Sequence, residues 1–135
     1  MASPSAKTNF NFVALSKVQL GGALPPFTSR GILLNSYDSD CWIRERRDLI
    51  GWTFSFNVEY LTFFKQLIVG ISLVPSNKIK VACGNHTKCY IHKKEMLVGS
   101  FNLSRPTIED ICVVVKDQSL VAFMRIQFRK HWKAL

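Results

Sequence analysis

Residues able to do chemistry concentrate in one stretch of this chain: His86-Thr87-Lys88, then Gly99-Ser100-Phe101-Asn102, then Glu109. A neutral imidazole can act as a nucleophile, a lysine supplies a fixed positive charge, and hydroxyl and amide groups donate hydrogen bonds without adding charge. Those types together suit a phosphodiester. His86 would attack phosphorus while Lys88, Ser100 and Asn102 stabilise the charge that builds on the non-bridging oxygens. An imidazole in that role needs its other ring nitrogen oriented by an acceptor, and Glu109, at the head of an apolar run, is the candidate.

The surrounding sequence must place these groups together. Lys88 to Ile91 and Glu95 to Phe101 predict paired strands around a His92-Lys93-Lys94 turn, and Gly84-Asn85 predicts a tight turn or bulge just before His86. If the first segment is extended, His86, Lys88, Tyr90 and His92 share one side and Thr87, Cys89 and Ile91 the other. Ser100 and Asn102 then share a side on the second strand, and Gly99 leaves room for close backbone approach. Upstream, Gly31 to Leu34 is a strand candidate, Tyr37 to Asp40 a turn that could cap a helix over Cys41 to Arg47, and Leu49 to Phe56 a strand. Apolar residues at Leu61, Phe64, Leu67 and Ile68 predict a helix from Val58 to about Val69. Ile108 to Lys116 reads as a central strand and Ser119 to Trp132 as a basic amphipathic helix. The fold class expected is α/β, a mixed sheet flanked by helices in a single domain. Residues 1–30, rich in Ser, Asn, Gly and Pro, predict an irregular N-terminal arm or a short strand ahead of a domain at 31–135.

The stretch from about Leu49 to Trp132 resembles the phospholipase D superfamily, in particular its small nucleases with one motif per chain. The resemblance rests on His86-Thr87-Lys88, Gly99-Ser100-Phe101-Asn102 and Glu109 in that order, with a strand, helix and strand before them. The sequence departs from the longer superfamily motif at Lys93, where that motif carries an aspartate, and in this it is like the single-motif nucleases. The resemblance implies a phospholipase D-like fold and a homodimer that assembles its active site from two chains. It implies catalysis by His86, Lys88, Ser100, Asn102 and Glu109 through a phosphohistidine, without cofactor or metal. Ser55, Lys93, Lys94 and Arg105 are the candidate substrate-binding residues around that site.

Composition narrows the substrate. A formal charge of +9 over 135 residues makes a polyanion the default partner, because lysines and arginines that neutralise phosphates gain affinity by releasing counterions. The charge is uneven: residues 71–135 hold eleven Lys and Arg against four Asp and Glu, whereas residues 1–70 hold seven against five. Nucleic acid is therefore expected ahead of lipid, and DNA ahead of RNA. No run of about 18 apolar residues suggests a membrane span, and the N-terminus lacks the apolar core of a secretory signal. The expected location is the cytoplasm of a bacterium or of a virus-infected host cell, where the four cysteines would stay reduced.

Blander readings compete with each of these. The spacing Cys83-x-x-His86-x-x-Cys89-x-x-His92 invites zinc, but in an extended segment Cys89 faces away from the histidines. The basic helix with Arg125, Arg129, Lys130, His131 and Lys133 could simply be a solvated face. The aromatic run from Trp52 to Phe64 reads as core. The alternative function is a catalytically silent nucleic-acid-binding or inhibitor protein that keeps the same fold.

Overall fold

The computed structural model describes residues 8–13, 28–106 and 110–135. Its elements run β1 (Thr8–Val13), β2 (Thr28–Asn35), α1 (Ser36–Arg44), β3 (Leu49–Thr53), a 3₁₀ turn (Val58–Phe63), β4 (Phe64–Val69), β5 (Ile79–Val81), β6 (Cys89–His92), β7 (Glu95–Gly99), β8 (Ile111–Val115) and α2 (Gln118–Ala134). The strands form one mixed sheet in the order β1-β2-β8-β7-β6-β3-β4-β5. β3, β4 and β5 are parallel and the other pairings antiparallel. The α/β class with a mixed sheet is thus as the sequence predicts. Within the expected N-terminal arm, Thr8–Val13 is an edge strand paired to β2; residues 1–7 and 14–27 lie outside the described residues.

Helices cover both faces. On one, Trp42 and Ile43 of α1 and Tyr60 and Phe63 of the 3₁₀ turn pack with Leu67, Tyr90, Leu97 and Phe101. On the other, Leu120, Val121 and Phe128 of α2 pack with Trp52, Ile68, Cys89 and Ile91. Apolar burial on two faces makes the middle strands continuous hydrophobic runs rather than alternating ones. All five residues of β3 are buried.

That double burial explains the main departure from the sequence reading. The segment expected as a helix from Val58 to Val69 is a 3₁₀ turn followed by β4, which lies between β3 and β5. Phe64, Leu67 and Val69 pack toward α1 and Ile68 toward α2, so apolar residues crowd both sides and imitate helical spacing. Helix α1 also begins earlier than expected. Asn35 caps it, its Oδ1 accepting from the Asp38 N–H at 2.8 Å, and Asp38 sits in the first turn where a carboxylate favours the helix dipole. The β6–β7 hairpin, β8 and α2 fall where the sequence places them, with shorter strands.

The polar, cationic strand face expected for His86, Lys88, Tyr90 and His92 is not present. β6 starts only at Cys89 and is central in the sheet, so Tyr90 is buried against the α1 layer while Cys89 and Ile91 are buried against α2. His86 and Lys88 lie in the connection before the strand. Gly99 does serve close approach: a Cβ there would come 2.3 Å from the Ile111 carbonyl oxygen and 2.6 Å from the Cys112 Cα.

Candidate active site

The parallel strands β3, β4 and β5 finish at one end of the sheet, at Thr53, Val69 and Val81, and antiparallel β6 starts there. In open α/β sheets the crevice beyond the carboxyl ends of parallel strands is where ligands bind. Here that end collects the connections carrying His86, Lys88, Ser100 and Asn102. Loops at the strand ends, not a shared strand face, bring them together.

The hub is the chain leaving β3. The Asn102 side-chain oxygen faces the Thr53 hydroxyl at 3.2 Å and accepts from the backbone N–H groups of Phe54 at 3.3 Å and Ser55 at 3.4 Å. One carboxamide oxygen therefore satisfies a stretch of backbone that has left the ladder. Its Nδ2 is left without a protein partner among the described residues, and is available to an oxygen of a bound anion. Ser55 holds Asn102 through its backbone, and its carbonyl accepts from Thr53 Oγ1 at 2.9 Å. Beneath them Tyr90 is fully buried, its hydroxyl donating to the Phe101 carbonyl at 2.6 Å and lying 3.1 Å from Thr53 Oγ1. Burial holds that phenol far above its ordinary pKa, so it remains a neutral donor.

The histidine is fixed from the same hub. Its ring lies on Phe54, centroids 4.5 Å apart and planes within 3° of parallel. The neighbouring Asn85 donates from Nδ2 to the Thr53 carbonyl at 3.2 Å and to the Thr87 carbonyl at 3.3 Å, bracing the backbone on both sides of His86. Gly70 permits this approach, since a Cβ there would meet the Asn85 carbonyl oxygen at 2.4 Å and the Phe54 ring at 2.6 Å. Lys88 Nζ donates to the His86 backbone carbonyl at 2.9 Å, so the cation is tied to the histidine's own peptide. The Lys88 carbonyl accepts from Gly99 N–H at 3.3 Å, which ties the histidine segment to the segment leading into Ser100 and Asn102.

Ser100 is engaged differently. Its hydroxyl donates to Asp110 Oδ1 at 3.0 Å and accepts from the Ile111 N–H at 3.0 Å, clamping the end of β7 to the start of β8. Arg105 is exposed three residues beyond Asn102, on the loop that the Phe56–Leu103 bridge fastens to the chain after β3. Glu109, the expected orienting acceptor, lies outside the described residues; among those described, no hydrogen bond orients the His86 ring. Lys93 and Lys94 are not brought to His86. They form the β6–β7 turn at the opposite end of the sheet. The zinc-like spacing does not converge either: His86 lies on Phe54, His92 ends β6, and Cys89 is buried with its sulfur 3.8 Å from that of Met96, its thiol pushed up to about 12 by burial.

The sequence reading missed Thr53, Phe54, Asn85 and Tyr90. Phe54 looked like one more core aromatic, yet it is only half-buried and its face carries His86. The signal that could have found Asn85 was its place between Gly84 and His86, where a side-chain amide often braces a turn.

No family model matches the chain, and no curated protein matches it in sequence. Among solved structures, NucT from Helicobacter pylori aligns over 94% of this chain and 96% of that one, with a TM-score of 0.54 at 17% identity. The structure of TrmBL2, an archaeal chromatin protein, which shows a novel mode of DNA binding, aligns over 95% of this chain and 54% of that one at 11% identity, with a TM-score of 0.47. The likeness to NucT is one of fold.

Proposed function

We propose that this protein is a phosphodiesterase acting on nucleic acid, DNA ahead of RNA, with His86 as the nucleophile. The observation that carries the reading is the hub after β3, where Phe54 holds the His86 ring, Asn102 is bonded to the Thr53–Ser55 backbone, and Lys88 stays against the His86 carbonyl. The fold likeness to NucT, a nuclease of the phospholipase D superfamily, supports it. So does the charge of +9.

In this reading a ring nitrogen of His86 attacks phosphorus, a P–N bond forms, and the P–O bond to the leaving oxygen breaks as that oxygen takes a proton from the His86 of a second copy. Water then attacks the phosphohistidine, giving its proton to that second imidazole, and the P–N bond breaks to restore both rings. Lys88 and the Asn102 amide stabilise the charge on the non-bridging oxygens. Ser100 acts by holding β7 to β8, and Arg105 reaches phosphate from the rim. Glu109 orients the imidazole. The domain carrying this site is residues 31–135, and the working unit is a homodimer with no metal or cofactor.

Incubating purified protein with DNA and RNA oligonucleotides in EDTA, beside a solution mass measurement, tests the proposal. Cleavage that persists in EDTA and a mass near twice 15.4 kDa are expected. Loss of all cleavage on chelation would refute the mechanism. Absence of cleavage under any condition, with binding retained, would favour a silent binding protein. A His86 ring that no described acceptor orients is the observation on that side.

A further inference from the structure

At the end of the sheet away from His86, a second cationic feature stands apart from the proposed active site. The α1–β3 connection, the β6–β7 turn and α2 enclose an open cleft of about 830 Å³ whose lining includes Arg46, His92, Lys93, Lys94, Arg125 and Arg129. We propose that this cleft is a second nucleic-acid contact, taking backbone phosphates of the same strand or duplex whose phosphodiester lies at His86.

Three observations carry it. First, positive charge is in excess: Glu45 and Asp48 also line the cleft and Glu45 lies 4.0 Å from Arg46, but most of the cations remain unpaired. Glu95 is taken by Arg46 and lies 3.9 Å from Lys116, while Lys93, Lys94, Arg125 and Arg129 have no carboxylate within ion-pair distance among the described residues. Second, the chain accepts unfavourable arrangements there. Arg125 and Arg129 are one helical turn apart, where like charges repel, and the non-glycine residues with positive φ among those described, Asp48 at 60° and Lys93 at 48°, both line this cleft. Strained backbone of that kind tends to collect at functional sites. Third, one cation is held in place: the Arg125 guanidinium donates to the Lys93 carbonyl and so joins helix to turn. Burial, with Arg46 and Lys93 beside it, lowers the His92 pKa from its ordinary value; burial and Arg129 likewise lower Arg125. An anion entering the cleft would relieve that repulsion.

Phosphate is the chemistry that fits, and a nucleic acid supplies it at the right spacing. The four residues of β6 put the cleft roughly 15 Å from the His86 end, a distance spanned by about four or five base pairs of duplex. This inference rests on the nucleic-acid part of the proposed function and not on cleavage.

The test uses the full chain carrying His86→Ala, so that the probe is not consumed, with and without Arg125→Gln and Arg129→Gln. Binding to a 20-base-pair duplex is measured from 50 to 200 mM salt, beside vesicles of anionic lipid. The slope of log affinity against log salt should fall by roughly two when two phosphate contacts are lost, with thermal midpoints alike, and Lys94→Gln should lower it by roughly one more. An unchanged slope overturns the proposal. So does a duplex affinity too weak to measure in the parent protein, or a loss seen with vesicles alone. A reduced slope in a protein whose wild type cleaves nothing would keep the cleft and discard the phosphodiesterase reading.

Discussion

Asn102 illustrates how a residue that looks like a catalytic donor does two tasks. Its oxygen satisfies the backbone after β3, and in the proposed function its amide binds the phosphate. Asn102→Asp separates the two. A carboxylate still accepts from Phe54 and Ser55, so thermal stability should fall by less than about 1 kcal/mol, whereas an anion beside the phosphate should lower kcat by on the order of a hundredfold. Equal activity would remove Asn102 from the phosphate site. Asn102→Ala is expected to be less stable than Asn102→Asp by about 1–3 kcal/mol, because two backbone donors then lose their acceptor. Chemical denaturation with unchanged m-value is the measurement. In the proposed function Phe54 is a positioning residue: it holds the His86 ring and touches no reacting atom itself.

Among the elements, the antiparallel hairpin β6–β7 and the strand β8 deliver the site, and their close packing depends on Gly99. Gly99→Ala would set a methyl 2.3 Å from the Ile111 carbonyl and 2.7 Å from the Cys112 sulfur, so β7 and β8 must part. A loss of about 1–3 kcal/mol is expected, read as a lower denaturation midpoint. Midpoints equal to wild type would show that the two strands can shift freely. Such hairpin geometry was legible in the sequence, since Gly84-Asn85, the His92-Lys93-Lys94 turn and Gly99 are local signals. β4 was not legible. Its neighbours β3 and β5 and the layers on both faces decide that Phe64–Val69 is extended, and none of these is visible in a window of local periodicity. The site shows the same division. His86, Lys88 and Asn102 announce themselves by type and spacing, but Thr53 and Phe54 join them only because β3 lies beside β6 in the sheet.

Across the whole molecule, charge and topology divide the labour between two ends. The carboxyl ends of the parallel strands hold the imidazole and the groups bonded around it; the opposite end holds an excess of cations over carboxylates. Lys93 and Lys94 are close to His86 in sequence and far from it in space, because β6 runs the chain across the sheet between them. Under the two proposals, a nucleic acid long enough to meet both ends would gain affinity at one and be cut at the other. None of the helices among the described residues is long and apolar enough to cross a membrane.

Attack of His86 on phosphorus is tested by the rate at which wild-type and His86→Ala protein cleave a 5′-labelled oligonucleotide in EDTA, with binding of the same probe measured in parallel. Cleavage is expected to fall by at least about a thousandfold while the binding constant changes by less than about threefold. Cleavage by His86→Ala at the wild-type rate would contradict it.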